Sequence, residues 1–153
     1  MGIFGTKKAS KGTVDSAVEM LTLYFKRRGL DIRGHELDDC DGYGWWITEG
    51  SAKIYIFLQE DRQGPVLRVT SPIVHFPQTN RDSFFLRCLD INRDLSGCCL
   101  AAFEQIVMVT SQRPLQGLDQ EEVNSLIWNV SNAADYFDDV LAKEFSCRVY
   151  RDD

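Results

Sequence analysis

The residues best suited to chemistry crowd one stretch: His35, Asp38, Asp39, Cys40 and Asp41. An imidazole, a thiol and carboxylates are the donor types that hold zinc or calcium. Their spacing departs from known patterns. A calcium loop begun at Asp39 would find Asp41 and Gly44 in place. It would carry Tyr43 at a ligand position and Gly50 where the closing Glu belongs. A solvated acidic loop is the better reading, and no metal or other cofactor is expected. The alternative is an enzyme that binds a metal or small ligand through the His35–Asp41 loop.

Nucleophilic catalysis needs a serine or cysteine with a base in reach. The histidines are His35 and His75. His75 alternates with Val74 and Phe76 at the end of an apolar run, the setting of a satisfied or sheet-edge histidine. No G-x-S-x-G, glycine-rich phosphate loop or paired-cysteine motif accompanies them, so no enzymatic activity is expected. Asn129-Val130-Ser131 matches a glycosylation acceptor, but it lies inside a helical pattern and is discounted. Met1-Gly2 with Thr6 matches the myristoylation pattern on two defined residues after the initiator.

The five cysteines are odd in number and no secretory segment is read at the start, which fits a reduced, cytoplasmic chain. Cys98 and Cys99 are adjacent on a strand pattern, so they should face opposite ways, and both read as small buried apolar residues. The net charge is −6. The densest basic run, Lys26-Arg27-Arg28 with Arg33 nearby, sits at a helix C-terminus, where cations complement the dipole. That argues against nucleic acid as a partner. No apolar run approaches the ~20 residues that span a bilayer, so no membrane partner is expected. An acidic surface suits a basic or apolar protein partner.

These groups must be held by the elements around them. The 153 residues predict one α+β domain over 13–153 behind a loose Gly- and Lys-rich tail at 1–12. A helix is expected from Val14 to Arg28, capped by Thr13 and closed by Gly29. Its stripe is Val14, Ala17, Val18, Leu21, Tyr24 and Phe25, with Leu23 on the opposite side. Strands follow at Tyr43–Thr48, Lys53–Gln59 and Val66–Phe76, the last bent at Pro72. The short connections imply an antiparallel meander. In the second strand Ile54, Ile56 and Leu58 share one face, with Tyr55 and Phe57 on the other. Neither face is polar, so both call for cover by helices or a partner.

A second helix is expected from Asn80 to Leu95 with Thr79 as its cap. Phe84, Cys88, Ile91 and Leu95 form one apolar row, and Phe85 and Leu89 a second row beside it. The surplus row suggests a second contact, such as another subunit. Strands are expected at Cys98–Phe103 and Ile106–Ser111. The last helix runs from Asp119 to Phe145, with Asp119 and Glu122 placed as a capping box. Its stripe is Val123, Leu126, Ile127, Val130, Ala133, Ala134, Phe137, Leu141 and Phe145. At ~1.5 Å per residue it should cross the sheet from edge to edge.

Trp45 and Trp46 must face opposite sides of their strand, so one ring is left outside the core, and Trp46 is assigned to a partner surface. Trp128 falls about 140° around the last helix from Val123 at the helical period. Asn132, Asp135 and Asp139 lie on that side. Trp128 rimmed by Asp135 has the pattern of an interface anchor. The more ordinary reading is a half-exposed ring packed on a neighbouring loop. Asp138 and Asp139 read as part of the helix's wet face.

The α-β-β-β-α-β-β-α order on a small acidic chain resembles the type III secretion chaperone-like fold, a twisted antiparallel sheet with packed helices. Ile91-Asn92, Val107-Met108-Val109-Thr110-Ser111-Gln112-Arg113-Pro114-Leu115 and Ala133-Ala134-Asp135-Tyr136-Phe137 are similar to the YbjN-type branch of that superfamily. The similarity covers roughly Thr13 to Phe145. It implies a non-catalytic protein-binding module, chaperone-like or regulatory, that holds a protein client and pairs into a homodimer. In the secretion chaperones the middle helix contributes to the dimer interface, a role that Phe85 and Leu89, with Leu86 beside them, would take here. Nothing in the sequence itself points to a secretion system.

Overall fold

The computed structural model describes residues 11–152. The myristoylation pattern, and all but Lys11 and Gly12 of the expected tail, lie outside the described residues. Helix α1 spans Val14–Arg27. It starts at a capping box in which Thr13 and Ser16 exchange side-chain and backbone bonds, and it ends before Gly29, whose φ of 73° only glycine adopts freely. A 3-10 turn follows at Ile32–His35. Strands β1 (Tyr43–Glu49), β2 (Ala52–Asp61) and β3 (Gly64–His75) form the meander. Helix α2 (Arg81–Asp94), strands β4 (Cys99–Phe103) and β5 (Ile106–Pro114) and helix α3 (Gln120–Phe145) complete the chain.

The five strands form one antiparallel sheet in the order β1-β2-β3-β5-β4. Ile47, Ile54, Ile56, Leu67, Val69 and Val109 point to one face, which the helices cover. Against it α3 lays Val123, Ile127, Val130, Ala134 and Leu141, while α1 adds Leu21 and Phe25, and α2 adds Phe84 and Ile91. At ~1.5 Å per residue α3 is roughly 39 Å long, and it crosses β2, β3 and β5 as its length requires. Buried Ala133 and Ala134 keep its late turns close to the sheet. The start of α3 is fixed by the Asp119–Glu122 capping box and by an ion pair between Glu122 and Arg113, which ends β5.

Three expectations need correction. The cap of α2 is Asn80, not Thr79. It sits at φ 56° in the left-handed region that asparagine tolerates, and it makes no side-chain cap bond. Cys99 is exposed and Cys98 half-buried, because β4 is the sheet edge and Cys99 turns away from the helices. Most strands also run further than the hydrophobic pattern suggests. β5 continues through Gln112-Arg113-Pro114, since cross-strand bonds to Val66, Leu67 and Arg68 hold polar residues as readily as apolar ones.

The outer edge of β4 is closed by a side chain. The Asn92 amide donates to the Leu100 carbonyl at 3.0 Å and accepts from the Leu100 N–H at 2.7 Å. The amide thus stands in for a strand residue and blunts the edge.

Candidate functional site

With the helices on one side, no helix among the described residues covers the other side of the sheet. Strict alternation puts Trp46, Lys53, Tyr55, Phe57, Arg68, Thr70, Met108 and Gln112 on it. Neighbours along and across the strands knit this surface together. Tyr55 and Phe57 lie near-parallel with ring centroids 6.5 Å apart, Arg68 Nε donates to Gln112 Oε1 at 2.9 Å, and Thr70 Oγ1 contacts Met108 Sδ at 3.1 Å. The twist makes the face concave. A depression of about 690 Å³ runs over it, with Phe103, Ile106 and Tyr150 also in its lining.

Tyr150 arrives by a route no sequence pattern announced. At Pro72/Val74 the β3 ladder is bulged, and the β2 ladder has already ended at Tyr55 and Thr70. The segment after α3 takes the vacant place. His75 N–H donates to Arg148 O and Tyr150 N–H donates to Ile73 O, both at 2.8 Å, with Val149 bridged to Val74. Tyr150 stacks on His75, and Arg148 bonds the other side of that ring. Asp152 then accepts from Tyr55 Oη and pairs with Lys53, whose ammonium lies 4.9 Å from the Trp46 ring centre. Burial raises the pKa of the Tyr55 phenol, and the Asp152 carboxylate raises it further. Burial also pushes the Asp152 carboxyl up, but bonds from Lys53, Tyr55 and Tyr150 outweigh it and leave the pKa below its ordinary value.

The residues singled out from sequence fall on three separate surfaces. Trp128 is 61% exposed and borders a cleft between α1 and α3 with Tyr24, Arg27 and Arg28. Asp135 accepts from Ser51 Oγ at 2.5 Å and so ties the β1–β2 turn to α3. Trp46 is half-buried on the open sheet face. On α2, Phe84 is fully buried while Leu86 and Leu89 are 61% and 66% exposed and Phe85 38%, so the surplus row lies free on the surface. Strand alternation marked Tyr55 and Phe57 as facing away from the core. Phe103, Met108 and Gln112 could have been found by extending that alternation across β4 and β5.

The His35–Asp41 loop does not converge. His35 Nδ1 meets the Trp46 carbonyl at 3.0 Å, and its ring packs against Trp46 and Phe25. Asp38, Asp39 and Asp41 are not brought onto it, and among the described residues no cluster of three or more His, Cys, Asp or Glu side chains could hold a metal ion. Among the described residues, no helix is long and apolar enough to cross a membrane.

A five-stranded antiparallel sheet backed by helices on one face and, among the described residues, open on the other defines the class of fold, α+β. The chain belongs to the family described as T3SS (YopN, CesT) and YbjN peptide-binding chaperone 1, whose model matches residues 30–153. Among solved structures, it is similar to a chain of the crystal structure of the ExsC–ExsE complex. The TM-score is 0.63 and the identity 15%, covering 83% of this chain and 94% of that one. That likeness shows the fold. No curated protein sequence matches the chain.

Proposed function

We propose that this protein is a non-catalytic, cytoplasmic chaperone-like module that holds an extended segment of a protein client on the open face of its sheet. The observation that carries this is the concave aromatic surface of Tyr55, Phe57, Phe103, Met108 and Tyr150, which no helix covers. Aromatic rings and a methionine give large contact area and adapt to different sequences. Arg68 and Gln112 add polar groups that can fix a backbone. Membership of a peptide-binding family supports the same role. Both histidines are engaged by neighbouring groups. The cysteines are unpaired, as in a reducing compartment.

Trp46, on this face, and Trp128 and Asp135, on the helix side, are proposed as partner contacts, with Trp128 the exposed anchor. Peptides selected from a random library against the intact chain test the assignment. Phe57→Ala is expected to weaken them roughly tenfold or more, the loss of a central aromatic anchor, and Trp128→Ala less. Equal binding by Phe57→Ala and the unmodified chain would remove the sheet face as the site.

The exposed row of Phe85, Leu86 and Leu89 is proposed as a homodimer interface. Its carrying observation is large apolar side chains on a helix whose other side is already satisfied by the core. Leu89→Asp should halve the particle mass in sedimentation. A monomeric unmodified chain, or an unchanged mass in the variant, sinks the dimer.

A further inference from the structure

The segment after α3 is an unusual piece of this fold. It pairs with Ile73–His75 as a short added strand, through the His75–Arg148 and Tyr150–Ile73 main-chain bonds. It then sends two side chains onto the open face. Tyr150 lines the concavity, and Asp152 reaches Tyr55 and, just beside the concavity, Lys53. The Lys53–Asp152 pair is about one-third exposed on each side, so water screens it. A segment held by two main-chain bonds, a stacked ring and a partly wet ion pair can be exchanged for another that makes the same contacts.

We propose that Arg148–Asp152 is a built-in stand-in for a client, occupying one end of the sheet face until a client segment with an aromatic residue and, two positions on, a carboxylate displaces it. The proposal rests on the open face being the client site. The spacing follows from the strand itself. In extended backbone, residues two apart share a face, so the partner's ring takes the place of Tyr150 over the sheet and its carboxylate takes the place of Asp152 between Lys53 and Tyr55. Tethering gives the resident segment a high effective concentration, so it excludes weak or mismatched segments. Lys53 supplies the charge selection. It is a cation on an acidic protein, held over Trp46 and matched to a carboxylate.

The test uses the full chain, a Tyr150→Ala/Asp152→Ala variant and a synthetic peptide of residues 146–152 with Cys147→Ser. Binding is read from amide chemical shifts of Lys53, Ile73 and His75. The peptide should bind the variant roughly tenfold or more tighter than it binds the unmodified chain, since the tethered competitor is weakened. A peptide carrying Tyr150→Ala should bind the variant far more weakly. Equal affinity for both proteins, no binding to either, or an undiminished alanine peptide would overturn the proposal. Hydrogen exchange gives a second reading in case the double variant misfolds. The Tyr150 amide should be protected in the unmodified chain and exchange at least several-fold faster in Lys53→Ala, and free-chain exchange in the unmodified protein would overturn the idea. Library peptides that still lose binding to Phe57→Ala would leave the sheet-face reading standing even if the stand-in fails.

Discussion

The two faces of the central strands come from the same strands read alternately, and they differ in the kind of side chain they present. Toward the helices β2 and β3 present Ile54, Ile56, Leu58, Leu67 and Val69, all nearly or fully buried. Away from them the same strands present Tyr55, Phe57, Arg68 and Thr70, with Met108 and Gln112 from β5. Branched aliphatic side chains have few rotamers and lock into one packing. Rings, a thioether, a guanidinium and an amide can meet more than one surface. In this chain a strand side rich in aromatic and long flexible residues marks the side left open.

The sharpest break of that contrast is a pair of truncations one residue apart. Ile56→Ala should cost ~2–5 kcal/mol in urea unfolding, because the cavity opens under α3 where nothing can collapse into it. Phe57→Ala should cost under about 1.5 kcal/mol, since its ring is partly solvated and leaves no closed void. A Phe57 cost equal to that of Ile56 would mean that the open face is part of the folding core.

Asn92→Ala probes the sheet edge that the contrast depends on. It strands the Leu100 N–H and carbonyl beside α2 and should cost ~1–3 kcal/mol. Asn92→Asp keeps the acceptor for the Leu100 N–H but loses the donor to its carbonyl, so it should fall between the alanine variant and the unmodified chain. If alanine and aspartate behave alike, the amide is not acting as a surrogate strand residue.

Much of the helix-covered face was legible in the sequence. The stripes of α1 and α3, both of their caps, the Gly29 stop and the meander turns all follow from short-range patterns, and the residue stretches resembling the YbjN branch pointed to the fold. The open face was only half legible. The alternation around Tyr55 and Phe57 showed that a second apolar side existed, but not that helices would leave it bare. That depends on α1, α2 and α3 all choosing one side. The Arg148–Asp152 segment was not legible at all. Its five residues carry no periodicity, and their place is set by the bulge at Pro72/Val74, which frees a strand position far away in sequence. Likewise Trp128, Asp135 and Trp46 look alike as polar-rimmed or off-stripe residues, yet Asp135 turns out to tether the Ser51 turn.

The smallest expected effect lies where the two faces meet, at Asp152. Its carboxyl titrates below the ordinary aspartate value of about 4, so the docked segment prefers the charged form. A depressed pKa contributes above the unfolded value and is lost as pH falls through the folded one. Docking should therefore be flat from pH 8 to 5 and weaken only below about 4. The neighbours do not blur this window from above. Tyr55, whose phenol pKa burial raises, stays neutral across it. Asp135, Asp138 and Asp139 line the same cleft, and burial raises the Asp138 carboxyl, so some of its charge is lost first and slightly relieves repulsion of Asp152. Exchange of the Tyr150 amide, corrected for intrinsic pH dependence, should rise a few-fold at low pH in the unmodified chain and stay level in Asp152→Asn. A rise already present at pH 6 would assign the loosening to the stacked His75 ring instead of to the carboxylate.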